Sequence, residues 1–202
     1  MSKLYADSHR QLQRRFDTER LADRIEARLF RDHVTGDDRA FIESLDMFFL
    51  ATADAAGYPN CSYKGGDPGF VRVLSPKLIA FPDYDGNGMF LSLGNTLANP
   101  HVGLLFIDFE NRKRLRLNGS VRLAPPDAVE PPFPGAQMVV LVDVEQVFPN
   151  CPRYIHRKTT VEPSIYVPRA DVETPVPNWK RSDWACDVLP NAEKSPQKMK
   201  EP

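Results

Sequence analysis

Leu12, Phe16, Leu21, Ile25 and Leu29 recur at roughly helical spacing, with Arg, Glu and Asp between them, so the first 45 residues read as helices. Gly36 ends one helix, Asp37 or Asp38 caps the next, and Phe41, Ile42 and Leu45 form its apolar side. These helices are expected to lie on a sheet. From Met47 the period changes. "MFFLATAD" is short, aromatic and apolar, and "AAGYP" turns the chain, so a strand and a hairpin are predicted. "NCSYKGG", "GFVRVL" and "LIAFPDY" read as further strand pieces. "DGNGMFLSLGNTLANP" opens with turn residues, continues as a short helix and stops at Asn99-Pro100. "HVGLLFIDF" reads as a buried strand. "RLRLNGSVRLA" alternates, so Arg114, Arg116 and Asn118 share one face while Leu115 and Leu117 share the other.

Residues 124–135 hold five of the nineteen prolines and are predicted to form an irregular loop. "AQMVVLVDVEQVF" is the last strand. Strands joined by short turns, with no helix regularly between them, argue for an antiparallel sheet or barrel. The predicted organisation is an N-terminal helical segment (residues 1–45) packed on a barrel (46–160), a proline-rich extended arm (161–190) and a disordered tail (191–202).

Composition narrows the function more than the fold. The chain has 202 residues, 42% hydrophobic and 26% charged, with a net charge of −1, which is an ordinary globular balance. That charge gives no global field for nucleic acid or an anionic membrane. No apolar run approaches the ~20 residues of a membrane helix, and the N-terminus lacks the apolar stretch of a secretory signal. Cys61, Cys151 and Cys186 are odd in number and widely spaced, so neither a disulfide framework nor a zinc site is read, and a reducing cytoplasm fits best.

Three stretches carry candidate chemistry. Gly65-Gly66-Asp67-Pro68-Gly69 interrupts a strand. It is neither a P-loop nor a dinucleotide-binding turn, because it lacks their spacing and leads into no helix. It reads as a bulge or wide turn. The alternative is that it lets Ser62, Lys64 and Arg72 converge on an anion, with donors that suit a phosphate monoester. "DYDGNGMFLSLGN" offers Asn87, Ser92 and Asn95 at the start of a short helix, either a phosphate site or a capped loop. "RKRLRLNG" sets Arg114 and Arg116 on one strand face, either solvated or turned to a ligand or partner chain. Asp83, Asp85 and Asp108 show no metal spacing and read as turn or edge residues. No acid–base dyad or nucleophile motif is present, so any difficult chemistry belongs to a cofactor.

Taken in order, "FLATADAAGYPNCSYKGGDPGFVRVL", "LIAFPDYDGNGMFLSLGNTLANPHVGLLFIDFE" and "RLRLNG" resemble the pyridoxamine 5'-phosphate oxidase-like flavin-binding proteins, with their FMN-binding split barrel. "FPNCPRYIHR" and "TPVPNWKRSDWA" resemble the predicted flavin-nucleotide-binding branch of that family. The likeness spans about Phe41 to Leu189. It implies a homodimer with FMN in grooves between the chains. Ser62, Lys64 and Arg72 would fall on the strand that holds the phosphate. Asp83 and Tyr84 would lie near the flavin ring, and Asn87, Ser92 and Asn95 in the loop-helix. Arg114 matches a polar position that reaches the flavin from the neighbouring chain, and Arg116 shares its face.

The chain departs from the vitamin B6 enzymes at three places. Their Arg…Leu-Lys clamp is replaced by Ser62-Tyr63-Lys64 and the glycine-rich insertion. Their Ser-Arg-Lys becomes Met89-Phe90-Leu91-Ser92 without a cation, and in place of their Arg-Leu-x-Pro tail stand the proline-rich arm and a lysine tail. An FMN-dependent oxidoreductase with a different substrate is therefore expected, with Arg153 and His156 as substrate-side candidates. The alternative is a non-catalytic module that binds flavin, haem or deazaflavin, with His156 as the better axial candidate for haem. A third expectation is a dimer with an empty groove.

Overall fold

The computed structural model describes residue 2 and residues 4–190. The chain divides into two compact units, one ending at Thr160 and one beginning at Val161. The first unit runs α1 (Asp7–Arg15), α2 (Glu19–Leu29), α3 (Gly36–Glu43), β1 (Met47–Ala53), β2 (Pro59–Gly65), β3 (Arg72–Ser75), β4 (Leu78–Tyr84), α4 (Leu91–Ala98), β5 (His101–Asp108), β6 (Lys113–Ala124) and β7 (Ala136–Pro149). The strands form one seven-stranded sheet in the order β2-β1-β5-β6-β7-β4-β3. Every pairing is antiparallel.

That order forces the sheet to curl. β2 and β3 follow one another in sequence yet sit on opposite edges. Edge strands of a flat seven-stranded sheet would lie about 29 Å apart at ~4.8 Å per strand. The stretch from Gly65 to Arg72 can reach at most about 25 Å at full extension, and it is a turn, not an extended chain. The edges are therefore drawn together around a filled interior. The Phe48 ring of β1 lies 5.0 Å from Phe81 of β4, a contact that a flat sheet would keep apart, since three strands separate β1 from β4 in the sheet order. This is the antiparallel split barrel expected from the sequence, with helices at its margins. Phe48, Phe81, Phe106, Leu50, Leu104 and Leu117 are fully buried inside it. Burying each such side chain contributes roughly 1.5–3 kcal/mol. The alternation read in β6 holds, with Leu115 and Leu117 buried and Arg116 exposed on the opposite face.

The glycine-rich break is the crossover. Strand structure resumes only at Arg72, not at Gly69, because Phe70 and Val71 turn into the core; Phe70 stacks 5.9 Å from Phe48. Phe70 folds back so closely that a Cβ on Gly66 would lie 2.4 Å from its ring. Gly69 adopts φ +89, a conformation that favours glycine.

α3 begins with a reciprocal capping box. Thr35 Oγ1 accepts from the Asp38 N–H at 3.2 Å, and Asp38 accepts from the Thr35 N–H at 2.9 Å. The helix carries Ile42 into the core and closes the open edge of β3. Arg39 donates to the Val73 carbonyl, and the Val73 N–H donates to Glu43 at 2.9 Å. α1 and α2 behave differently. Arg10 and Asp23 join them at 2.7 Å, but Leu12, Phe16 and Leu21, read from their spacing as an apolar side, are more than half exposed at 56%, 68% and 59%.

The proline-rich loop between β6 and β7 lacks regular structure, yet it is not loose. It buries Val129 and Phe133 against Ala80 and Val139 in a second small core. The unit beginning at Val161 is largely irregular, with one short 3-10 helix (Asn178–Arg181) and stacked rings of Trp179 and Trp184 at 5.9 Å. The expected tail, 191–202, lies outside the described residues.

Candidate functional site

Asn60, Ser62 and Lys64 are alternate residues of β2, so their side chains project to one face. Their cross-strand partners are Thr52, Leu50 and Phe48, all buried, so that face is the barrel interior. A polar stripe thus enters an apolar barrel along its edge strand, with Asn60 and Ser62 meeting Ser92 and Lys64 meeting Asp83.

At one end, α4 covers the stripe. Asn60 donates to Ser92 Oγ at 2.9 Å, and Ser92 Oγ donates to Ser62 Oγ at 2.9 Å. Asn95 Nδ2 donates to Thr52 Oγ1 at 3.1 Å, and both Ser92 and Thr52 are buried. The start of α4 is unusual. Gly88 and Phe90 both have positive φ, +73 and +48, and Phe90 offers no side-chain cap. The first N–H groups of a helix have no intrahelical partner, so this turn presents uncapped donors beside Ser92.

At the other end, Lys64 Nζ stands 3.7 Å from Asp83 Oδ1 of β4 and joins β2 to β4 across the seam. That distance is an ion pair but too long for a good hydrogen bond. Burial pushes the Asp83 carboxyl above its ordinary range, Lys64 pulls it back and Asp85 adds to the rise. Tyr84 follows. Burial, then the Asp67 charge, raises its phenol, with Arg72 opposing, so Tyr84 is a neutral donor at pH 7.

The structure therefore brings together Ser62 with Ser92, and Lys64 with Asp83. Arg72 is directed elsewhere. Its guanidinium lies 3.8 Å over the Phe133 ring and donates to the Pro131 carbonyl, tying β3 to the proline-rich loop. Asn87 is exposed and accepts from the Met89 N–H at 3.0 Å, a local turn. Arg116 is exposed, 6.0 Å over Phe148. Arg114 donates to the Cys151 carbonyl at 2.7 Å within its own chain. Arg153 and His156 are both exposed on the segment that follows β7. That segment is fastened across one end of the barrel, by the Lys158 N–H to the Phe109 carbonyl at 3.2 Å and by Thr160 Oγ1 to Asp46 at 3.0 Å. Asn60 and Thr52 were not foreseen as part of the cluster. The readable signal was the period-two run of polar residues, Asn60, Ser62 and Lys64, in a strand whose neighbours are apolar.

The family model described as pyridoxamine 5'-phosphate oxidase matches residues 34–150, more than half of the chain. The chain belongs to the pyridoxamine 5'-phosphate oxidase family. The matched region of this family member opens just before α3 and ends just after β7, so it contains the whole barrel, the polar stripe and α4. No curated protein matches the chain significantly. Solved structures similar to it include HupZ from Group A Streptococcus, at 18% identity with a TM-score of 0.46, covering 57% of this chain and 93% of that one. An FMN-binding protein from Syntrophomonas wolfei subsp. wolfei is 10% identical with a TM-score of 0.44, covering 69% and 97%. A FAD-binding protein from Mesorhizobium loti is 16% identical with a TM-score of 0.39, covering 59% and 95%. Among the described residues, no helix is long and apolar enough to cross a membrane.

Proposed function

We propose that this chain is an FMN-binding flavoprotein, an oxidoreductase of the pyridoxamine 5'-phosphate oxidase family whose substrate is not a vitamin B6 phosphate. The observation that carries the reading is the Ser62–Ser92 pair beside the uncapped first turn of α4, with Lys64 two residues further along the same face of β2. Two hydroxyls, one ammonium and a helix N-terminus are the donor set that a phosphate monoester needs. The loose 3.7 Å pairing of Lys64 leaves its ammonium free to swing toward an added anion while Asp83 still neutralises it in part. Tyr84, a half-buried neutral phenol, supplies a donor near the ring position. When bound, the isoalloxazine accepts and donates hydride or single electrons. The chain's own residues anchor the phosphate, orient the ring and exclude water. A single cation at the anchor, in place of the clamp of the vitamin B6 enzymes, supports a different substrate.

Two copies of the chain complete the proposed site. Across the sheet face opposite the core, Tyr63, Phe49, Leu105, Arg116 and Phe148 lie side by side on five neighbouring strands. Tyr63 is 62% exposed. This row, three of its members aromatic, supports a homodimer.

The test is an absorption spectrum of freshly purified protein, before and after FMN is added and dialysed away. Flavin bands near one equivalent per chain are expected. A colourless protein that retains no FMN would overturn the reading. Lys64→Ala is expected to weaken FMN roughly ten- to hundredfold, because a charge-assisted contact is worth about 1.5–3 kcal/mol. Fluorescence titration of the variant measures it.

A further inference from the structure

The helical hairpin α1–α2 leaves its apolar side uncovered. α1 buries none of its residues, and α2 buries only Ala22. The two helices pack chiefly on each other, through the Arg10–Asp23 pair and through Tyr5, whose hydroxyl donates to the Ala22 carbonyl at 3.3 Å. Leu21, Ile25 and Leu29 recur every fourth residue, so they form one stripe along α2. They are 59%, 40% and 42% exposed. With Leu12 and Phe16 they present on the order of several hundred Å² of apolar surface, the size at which an exposed patch on a single chain marks an interaction site. Helices of nine and eleven residues are marginal in water by themselves, so tertiary packing must supply their stability.

The root of the hairpin points to what covers it. Arg31 exchanges both backbone hydrogen bonds with Val147 of β7, at 2.9 and 2.7 Å. Val147 faces the core, so the antiparallel register sets the adjacent pair, Phe30 and Phe148, on the outward face. Phe30 is extended, at φ −76 and ψ 134, and adds a sixth position to the row of Tyr63, Phe49, Leu105, Arg116 and Phe148. Leu29, the last member of the α2 stripe, comes directly before it. The stripe is thus continuous with the sheet face assigned above to the homodimer. A lipid surface fits less well. Residues 7–29 hold six arginines against five carboxylates, and Arg10, Arg14 and Arg20 are already paired with Asp23, Glu19 and Asp17. We propose that the α1–α2 hairpin of each copy docks on the other copy of this chain and clasps the two-fold interface. A two-fold makes the exchange mutual, so each copy both gives and receives a hairpin. The inference rests on the homodimer and names the element that secures it.

The experiment replaces Leu21 of the full chain with the photo-cross-linker p-benzoylphenylalanine, co-expresses that chain with a tagged native copy and illuminates the purified protein. Light scattering at micromolar concentration records the native mass in parallel. A covalent product that carries the tag and has twice the chain mass is expected. Leu21→Glu and Leu29→Glu are each expected to weaken self-association by about tenfold or more, because each buries a charge against the partner. Ala27→Glu, on the opposite side of α2, should leave it unchanged. Amide exchange in α1 and α2 of the native chain should slow as concentration drives the chain from monomer to dimer, a readout that needs no substitution. A dimer that gives no cross-link between copies overturns the proposal and leaves the homodimer standing, as does undiminished association of both glutamate variants. A native chain that stays monomeric overturns both. Sedimentation with phosphatidylserine–phosphatidylcholine vesicles that Leu21→Glu abolishes would assign the stripe to a lipid surface and overturn the hairpin's docking.

Discussion

Single residues at the seam set the barrel's chemistry. Asp83 is an acid whose folded-state pKa is raised by burial. Its contribution to stability is fully present below the usual carboxylate pKa of ~3.9 and is lost as pH rises through the elevated folded value. The stability of the native chain relative to Asp83→Asn should therefore fall as pH rises through that window. Urea unfolding at a series of pH values from acid to neutral measures it, and a difference that rises with pH would refute the assignment. Gly66 illustrates a different constraint. A methyl group there would meet the Phe70 ring at 2.4 Å and drive it from its contact with Phe48. Gly66→Ala should cost about 1–3 kcal/mol by overpacking, read as a lower urea midpoint with an unchanged slope. Arg72 is the instructive surprise at this scale. Its charge suggested an anion site, yet the basin that holds it is a phenylalanine face and a carbonyl in a loop 59 residues away. Nothing in the local sequence of "GFVRVL" announces a partner that distant.

Among the elements, α3 is small and consequential. It is eight residues long, and its Arg39 and Glu43 satisfy the carbonyl and N–H of Val73 on the open edge of β3. Glu43→Ala leaves that N–H without its partner and should destabilise the chain by about 1–2 kcal/mol. Equilibrium unfolding measures the loss, and faster amide exchange at Val73 would place it. The strands and α4 were legible because burial imposes period two or period 3.6 on the residues that form them. Leu115 and Leu117 against Arg114 and Arg116 are the plain example. The inward polar stripe was half legible: Ser62 and Lys64 drew notice for their chemistry, but Asn60 and Thr52 join only through α4, which arrives some thirty residues later. The proline-rich loop was legible as irregular. Its burial of Val129 and Phe133 was not, because prolines report what the backbone cannot do and say little about what the side chains reach.

The whole molecule raises the question of assembly. The row from Tyr63 to Phe148, exposed at Tyr63 and Arg116 and half-buried at Phe49, Leu105 and Phe148, is expected to meet its symmetry mate, since a two-fold interface presents the same patch from both copies. Light scattering at micromolar concentration should give twice the chain mass, and Tyr63→Glu should shift it toward the monomer. A monomeric native chain would rule the interface out. The curl of the sheet also explains why a barrel could be expected before its closure could be derived. Short turns predicted antiparallel neighbours, but which strands form the two edges follows only from the pairing of β1 with β5 and of β4 with β7.

The seam has one further consequence. β3 is a four-residue strand at the rim of the sheet, and the Arg39 and Glu43 side chains of α3 occupy the Val73 carbonyl and N–H. Bare strand edges template intermolecular pairing. α3 thus guards solubility as well as shape, and a chain that lost its grip on β3 would be recruited edge to edge into aggregates while its barrel interior was still intact.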